Sequence, residues 1–246
     1  MLADKLFAVL QPQGKTLAAL YPASGSTKWL TVFIEGDGAT WPTPSQPPAD
    51  PTPGKPLGLL LALAHAGIAL QAGEAVGYMG RPCQYLSPGD LANCPGAWWT
   101  LGRFGTAPLK LMNARLDDLK AQLPSATLRL VGYSGGGAAA ALLAAQRSDV
   151  ACLVTVAAPL DIDAWTRAKN VSALSESQNP LDAAAQLRGM LMTHFSGADD
   201  DVVPRGVNQK FMQSAQTREQ FQPGFDHDAQ WLKAWPGLAA ASCLTN

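Results

Sequence analysis

The sequence predicts an α/β protein whose mostly parallel sheet is covered by helices on both faces. From residue 57 onward, short apolar runs alternate with longer helical segments, which is the pattern of a parallel sheet. The 246 residues, 47% of them apolar, suffice for a single large domain spanning residues 1–246. Because the net charge is only −1, we expect neither nucleic acid nor an anionic membrane as a partner.

Two strands are predicted near the N-terminus, at Thr16–Tyr21 and Trp29–Ile34, with a turn-like PASGS segment between them. We expect them to pair as an antiparallel ribbon at the sheet edge. The longest apolar run, residues 57–70, is too short to span a bilayer and predicts a buried helix beginning after Pro56. A strand is predicted next, at residues 74–79.

A Pro/Gly-rich loop, RPCQYLSPGDLANCPG, follows this strand and contains Cys83 and Cys94. Their closeness favours a disulfide, which requires an oxidising compartment, over two free thiols in a cytosolic loop. Cys152 lies in an apolar run and is predicted to be a small core residue, and Cys243 has no assignable partner. No Cys/His spacing resembles a zinc site, so we expect no metal.

The most informative stretch is residues 127–143, TLRLVGYSGGGAAAALL, which follows a predicted amphipathic helix at 109–123. An apolar strand breaks at a Gly-x-Ser-x-Gly sequence and an alanine-rich helix follows, which is typical of a nucleophile elbow. The alternatives are a turn without chemistry and a phosphate-binding loop, although no Lys-Ser/Thr pair follows the glycines. We predict Ser134 as nucleophile and the Gly135 N–H as an oxyanion donor.

A serine nucleophile needs a base, and the chain has three histidines. His65 lies in a predicted helix, where it packs or hydrogen-bonds in the core. His194 precedes the acidic cluster and so breaks the chain order of serine, acid and histidine. His227 follows both and is the predicted base.

The orienting carboxylate is expected after a strand at residues 190–195, where three aspartates follow Gly197. Only one of three consecutive carboxylates can orient an imidazole. We predict Asp200, with Asp199 and then Asp201 as alternatives, and the spare aspartates suit a solvated turn or a helix N-cap. A calcium loop is disfavoured because alternating oxygen ligands are absent.

The second oxyanion donor is predicted in the EGDG segment after Trp29–Ile34, at the N–H of Asp37 first and Gly38 second. An ordinary Asp-Gly turn is the alternative. An excursion at residues 161–186 is a candidate for a small cap over the pocket. The candidates for the pocket wall are Tyr133, Trp41 and Trp165.

Four segments together resemble the α/β-hydrolase superfamily: GYSGGG, the acid turn at 197–204, GFDH, and the loop after Trp29–Ile34. The resemblance implies a hydrolase-type sheet with a small or minimal cap. It places the acid at Asp200, between the turn glycine and the proline, and the second oxyanion donor at Asp37. The sequence differs from the usual His-Gly oxyanion loop by having Glu35 before the glycine.

A narrower resemblance is to a group of bacterial α/β-hydrolases, some of them described as exported proteins or lipoproteins, through FIEGDGATW, YMGRPCQY, LDIDAWT and HFSGADDDVVP. This resemblance implies the Cys83–Cys94 bridge and favours a periplasmic or secreted protein. Asp4 stands where a signal peptide would be basic. We therefore expect either a cytosolic protein or a sequence that starts after a removed export signal.

These residues predict a serine hydrolase that cleaves carboxylic esters of small to medium acyl chains through an acyl-enzyme, without a cofactor. Its expected partner is a small-molecule ester, and the oligomeric state stays open. A thioesterase, a peptidase or a polyester depolymerase could use the same residues, and a non-catalytic binding protein of hydrolase fold is an alternative of another class. A dinucleotide-dependent oxidoreductase is disfavoured because no Gly-x-Gly-x-x-Gly with a downstream acid is present.

Overall fold

The structure, a computed structural model, describes residues 11–13, 16–21, 27–39, 43 and 46–245. In this part of the chain, eight strands form one sheet in the order β1-β2-β4-β3-β5-β6-β7-β8. Six neighbouring strands in this order, β4, β3, β5, β6, β7 and β8, run parallel, as predicted. The strands are β1 (Gln11–Gln13), β2 (Thr16–Tyr21), β3 (Trp29–Ile34), β4 (Ala75–Met79), β5 (Thr127–Tyr133), β6 (Val150–Val156), β7 (Leu191–Gly197) and β8 (Glu219–Gln222).

The N-terminal part of the sheet differs from the prediction. Strand β2 pairs antiparallel with β4, while β3 lies on the other side of β4 and parallel to it. The predicted ribbon of Thr16–Tyr21 against Trp29–Ile34 is therefore wrong. Residues 30–34 are buried, which suits a central strand with helices over both faces better than one arm of an edge hairpin.

Helices cover the sheet on both faces, as the alternating pattern predicts. Leu61, Trp231 and Trp235 belong to the core on one face, and Leu116 and Phe211 belong to the core on the other. No helix within the described ranges is long and apolar enough to cross a membrane. The helices are α1 (Leu57–Ala72), α2 (Pro88–Leu91), α3 (Thr106–Gln122), α4 (Gly135–Ala144), α5 (Ile162–Lys169), α6 (Pro180–Ala183), α7 (Gln209–Ala215) and α8 (Trp231–Ala240), with short 3-10 turns at Gly96–Trp99, Ala184–Leu187 and Cys243–Thr245.

Two disulfides lie within the described residues, Cys83–Cys94 and Cys152–Cys243. The first is the bridge that the sequence predicts. The second was not predicted. Cys152 is buried as expected, but it is bonded to Cys243, for which no partner could be assigned from the sequence. The C-terminal turn packs under the sheet, where the Cys243 N–H donates to Thr193 Oγ1, and a contact across 91 residues leaves no local sequence pattern.

Removing the Cys152–Cys243 bridge is expected to destabilise the fold more than removing Cys83–Cys94. Disulfides stabilise mainly by restricting the unfolded chain, and these two close segments of 91 and 11 residues. The loop-length relation predicts losses of about 4–5 and about 3 kcal/mol in the free energy of unfolding. Urea unfolding of the two double alanine variants measures both losses, and a larger loss for Cys83→Ala/Cys94→Ala would contradict this expectation.

Candidate active site

The carboxyl ends of the parallel strands bring the predicted residues to one edge of the sheet. Ser134 follows β5, the acid turn follows β7, and the loop with His227 follows β8. Because neighbouring parallel strands end on the same side, the turns that leave them meet there. The EGDG loop after β3 and Arg81 after β4 lie at the same edge.

Ser134, His227 and Asp200 form a continuous hydrogen-bonded chain. His227 Nε2 lies 3.0 Å from Ser134 Oγ, and His227 Nδ1 lies 2.9 Å from Asp200 Oδ2. Both distances are within the reach required of a general base and its orienting carboxylate. When the ring proton is on Nδ1, it is donated in a hydrogen bond to Asp200. Nε2 is then left as an acceptor for the serine hydroxyl.

Ser134 lies on a strained turn between β5 and α4. Its φ of 50° and ψ of −128° fall in a region that residues with a Cβ rarely adopt. The neighbouring glycines are sterically required, because a Cβ at Gly132 would overlap the backbone of Gly136. A Cβ at Gly136 would in turn overlap the carbonyl groups of Ile34 and Glu35. The glycine spacing of the motif therefore follows from close contact between strand and helix.

Among the three consecutive aspartates, Asp200 alone is buried and reaches the imidazole. Its Oδ1 accepts the N–H groups of Val202 and Val203, which leaves Oδ2 for His227. Asp199 and Asp201 are exposed, as the solvated-turn interpretation expects. Only one carboxylate of the three is thus held in a geometry that can orient His227.

The excursion between β6 and β7 supports the acid turn from outside. Trp165 on α5 donates its indole N–H to the Val202 carbonyl at 2.8 Å, and Lys169 Nζ donates to the Asp201 carbonyl at 2.6 Å. Trp165, a predicted pocket residue, thus contacts the acid turn directly. Trp41, another pocket candidate, lies outside the described residues.

Tyr133, which precedes Ser134, holds the loop that carries His227. Its hydroxyl donates to Asp228 Oδ1 at 2.5 Å, and its ring centroid lies 5.5 Å from that of His227. Trp231 Nε1 donates to the His227 carbonyl at 3.0 Å. Burial, together with the Asp228 carboxylate, raises the pKa of Tyr133, so the phenol keeps its proton and remains a donor. Asp228 was not predicted from the sequence, because an exposed aspartate after a histidine has no distinctive pattern.

Tyr133→Phe is expected to lower kcat about tenfold at nearly constant KM, because a less firmly held imidazole spends less time in the productive geometry. Tyr85→Phe is the matched control, since it removes a phenol hydroxyl that bonds to Tyr78 and not to the histidine loop. Steady-state hydrolysis of a nitrophenyl ester by both variants measures the effect. A kcat of Tyr133→Phe equal to that of the wild type would show that the Tyr133 hydroxyl does not position His227.

Glu35, which replaces the usual histidine before the glycine, is buried and accepts four hydrogen bonds. The donors are the N–H groups of Gly36, Gly58 and Leu59 and the hydroxyl of Tyr78. Two of these N–H groups belong to the first turn of α1, so Glu35 also caps that helix. Burial raises the pKa of Glu35, while the hydrogen bonds act in the opposite direction.

The EGDG loop lies directly against Ser134. A Cβ built on Gly36 would be 3.5 Å from Ser134 Cβ. The Gly36 N–H is bonded to Glu35, whereas the N–H groups of Gly135, Asp37 and Gly38 have no acceptor within the described part of the chain. These three N–H groups stay the predicted oxyanion donors, and the geometry leaves them available for that role.

The Asp37 side chain has partners that sequence reasoning missed. Its Oδ1 accepts from Arg81 Nη1 at 3.0 Å, and its Oδ2 accepts from Arg103 Nη1 at 2.7 Å. Burial alone would raise the pKa of Asp37, but the charges of Arg103 and Arg81 outweigh burial and lower it. Arg81 follows strand β4, so its position at the sheet edge could have been inferred, whereas Arg103 lies in a long loop without any such signal.

The other two histidines are buried and contact other side chains. His194 Nδ1 lies 2.9 Å from Thr155 Oγ1, and burial lowers the pKa of His194 to about 4, which keeps the ring neutral. His65 Nε2 lies 3.6 Å from Glu74 Oε2, in agreement with a core role. No group of three or more His, Cys, Asp or Glu side chains with metal-binding geometry lies in the described part of the chain.

Solved structures of other proteins have a fold similar to that of this chain. A proline iminopeptidase from Mycobacterium smegmatis superposes with a TM-score of 0.66 at 13% identity, over 94% of this chain and 95% of that one. An esterase from Pyrococcus furiosus gives a TM-score of 0.63 at 15% identity, over 95% and 86% of the two chains. An α/β serine hydrolase homologue from Coxiella burnetii gives 0.59 at 14% identity, over 94% and 92%.

The chain therefore has the α/β-hydrolase fold. Its strand order and parallel pairing, with the strained turn at Ser134 after β5, agree with this assignment. No family model and no curated protein matches the sequence.

Proposed function

We propose that this protein is a serine hydrolase that cleaves carboxylic esters of small to medium acyl chains. The observation that carries the proposal is the chain from Ser134 Oγ through the His227 imidazole to Asp200, with separations of 3.0 and 2.9 Å. Esterases are among the proteins of similar fold, which supports the same reaction class. The short helices of the 161–186 excursion, which we propose as a small cap, offer little apolar cover for a long acyl chain.

The reaction would proceed through a covalent acyl-enzyme. Ser134 Oγ attacks the acyl carbon while His227 Nε2 takes the hydroxyl proton and Asp200 holds the Nδ1–H. The negative charge that forms on the carbonyl oxygen is bound by the N–H of Gly135 and that of Asp37 or Gly38. His227 then gives its proton to the leaving alcohol, and the bond between acyl carbon and alcohol oxygen breaks.

The second half of the cycle uses water in place of serine. His227 takes a proton from the water, the resulting hydroxide attacks the acyl carbon, and the same N–H groups bind the second oxyanion. Transfer of the proton from His227 to Ser134 Oγ then releases the carboxylic acid and restores the hydroxyl. Each N–H donor would contribute about 3–4 kcal/mol of transition-state stabilisation.

Amide hydrolysis is the second candidate, because a proline iminopeptidase has a similar fold. The same three side chains would cleave an amide if the pocket held its leaving amine.

The two disulfides within the described residues further support a protein of an oxidising compartment, in agreement with the proposed periplasmic or secreted location.

A substrate panel tests the proposed function. Hydrolysis of nitrophenyl acetate, butyrate, octanoate and palmitate is compared with that of prolyl nitroanilide, with Ser134→Ala as the blank. We expect turnover of the acetate and butyrate esters and little turnover of palmitate. Turnover of the anilide alone would favour a peptidase, and a folded protein that turns over nothing would favour the binding protein.

A further inference from the structure

The Asp37 carboxylate occupies an unusual place for a negative charge. A Cβ built on Gly135 would overlap the carboxyl group of Asp37, so the two residues are in direct contact. Gly135 supplies one proposed oxyanion donor, and the backbone N–H of Asp37 is the first candidate for the other. An unneutralised carboxylate at this point would repel the negative charge that develops during acyl transfer.

Two guanidinium groups neutralise this carboxylate and fix its direction. Arg81 and Arg103 each engage a different oxygen of Asp37, and their side chains are 4% and 11% exposed against 29% for Asp37. Because arginine stays charged in proteins, two positive groups and one negative group leave the cluster with a net charge of +1. This sign favours an oxyanion nearby.

The arginines are themselves held rigidly. Arg81 Nη2 donates to the Arg103 carbonyl at 2.5 Å, and its guanidinium lies 4.9 Å from the centroid of the Phe104 ring. Arg103 Nε donates to the Thr100 carbonyl at 2.8 Å. The Cys83–Cys94 bridge closes the loop that joins the two arginines. The cluster therefore rests on a covalently restrained loop.

We propose that Asp37, held by Arg81 and Arg103, is a positioning residue that fixes the oxyanion loop against Ser134. The side-chain clamp sets the backbone of Asp37 so that its N–H, together with that of Gly135, meets the carbonyl oxygen in the transition state. The arginines also supply the positive charge that makes a carboxylate tolerable there. This inference rests on the proposed esterase function.

Variants that change one charged group of the clamp test the proposal. Asp37→Asn and Arg103→Met are expected to lower kcat for nitrophenyl butyrate about 10- to 100-fold at nearly constant KM, because misplacement of a transition-state contact affects the chemical step. Arg103→Lys keeps the charge and should recover part of the loss. Arg147→Met is the matched control, since Arg147 pairs with Asp117 and Asp149. Asp149 precedes the amino end of β6, whereas the candidate site lies at the carboxyl ends of the strands.

A second readout separates positioning from structural support. A trifluoromethyl ketone that forms an oxyanion adduct with Ser134 should bind 10- to 100-fold more weakly to Asp37→Asn, while the unreactive methyl ketone of the same shape should bind equally to both proteins. Urea unfolding checks that each variant is folded. If Asp37→Asn or Arg103→Met does not fold, Arg103→Lys is measured in its place.

The outcomes distinguish this inference from the function on which it rests. If the wild-type protein turns over no ester and forms no ketone adduct, the proposed function fails and the positioning role fails with it. If the wild-type protein is active while Asp37→Asn and Arg103→Met keep their kcat and ketone affinity, the positioning role alone fails. A rise in KM at constant kcat would also overturn it, because the cluster would then bind the ground state.

Discussion

Ser134→Ala is expected to lower kcat for an ester substrate by about 10⁴- to 10⁶-fold, because it removes the atom that forms the acyl-enzyme. The fold should be unaffected, since the only side-chain hydrogen bond of Ser134 in the described residues is the one to His227. His227→Ala should cost about as much, and the double variant should be little worse than either single one. Such non-additivity is characteristic of residues that act as a unit.

Two controls accompany this experiment. Ser214→Ala removes another partly buried serine, on α7, and should leave kcat unchanged. Urea unfolding of Ser134→Ala should give the wild-type free energy to within about 1 kcal/mol. Residual activity within tenfold of wild type in a folded Ser134→Ala protein would contradict the assignment of the nucleophile.

Asp200→Asn is expected to lower kcat about 10⁴-fold, since an amide no longer holds the imidazole in the tautomer that accepts the serine proton. The turn should survive, because the amide oxygen can still accept the N–H groups of Val202 and Val203. Circular dichroism and urea unfolding check that it does. The loss should appear in kcat far more than in KM.

The neighbouring aspartates provide matched controls for this variant. Asp199→Asn and Asp201→Asn change the same charge in the same turn, but both side chains are exposed and lack contact with His227. Their kcat values should stay close to that of the wild type. A larger loss for either of them than for Asp200→Asn would assign the orienting role to a different carboxylate.

Local patterns predicted the features that depend on neighbouring residues. The turn at Ser134 could be predicted because Gly132, Ser134 and Gly136 lie close together in the chain and their steric demands are local. His227 could be proposed as the base because the chain has only three histidines, of which His65 lies in a predicted helix before Ser134 and His194 precedes the acidic cluster. The alternation of strands and helices was sufficient for the parallel sheet.

Contacts between distant segments could not be predicted from local sequence patterns. The apolar sequence of strand β3 does not specify which strands lie beside it, because its neighbours are decided by packing of whole layers. The Cys152–Cys243 bridge and the Arg103–Asp37 pair join residues separated by 91 and 66 positions. The role of Asp228 depends on a tyrosine that is 95 positions away.

The most direct test of the central claim is to trap the nucleophile with a fluorophosphonate and map the adduct by mass spectrometry. We expect one adduct per chain, on Ser134, which forms in the wild-type protein and in Asp199→Asn but not in Ser134→Ala or His227→Ala. A folded wild-type protein that stays unlabelled, or an adduct on any other residue, would contradict it.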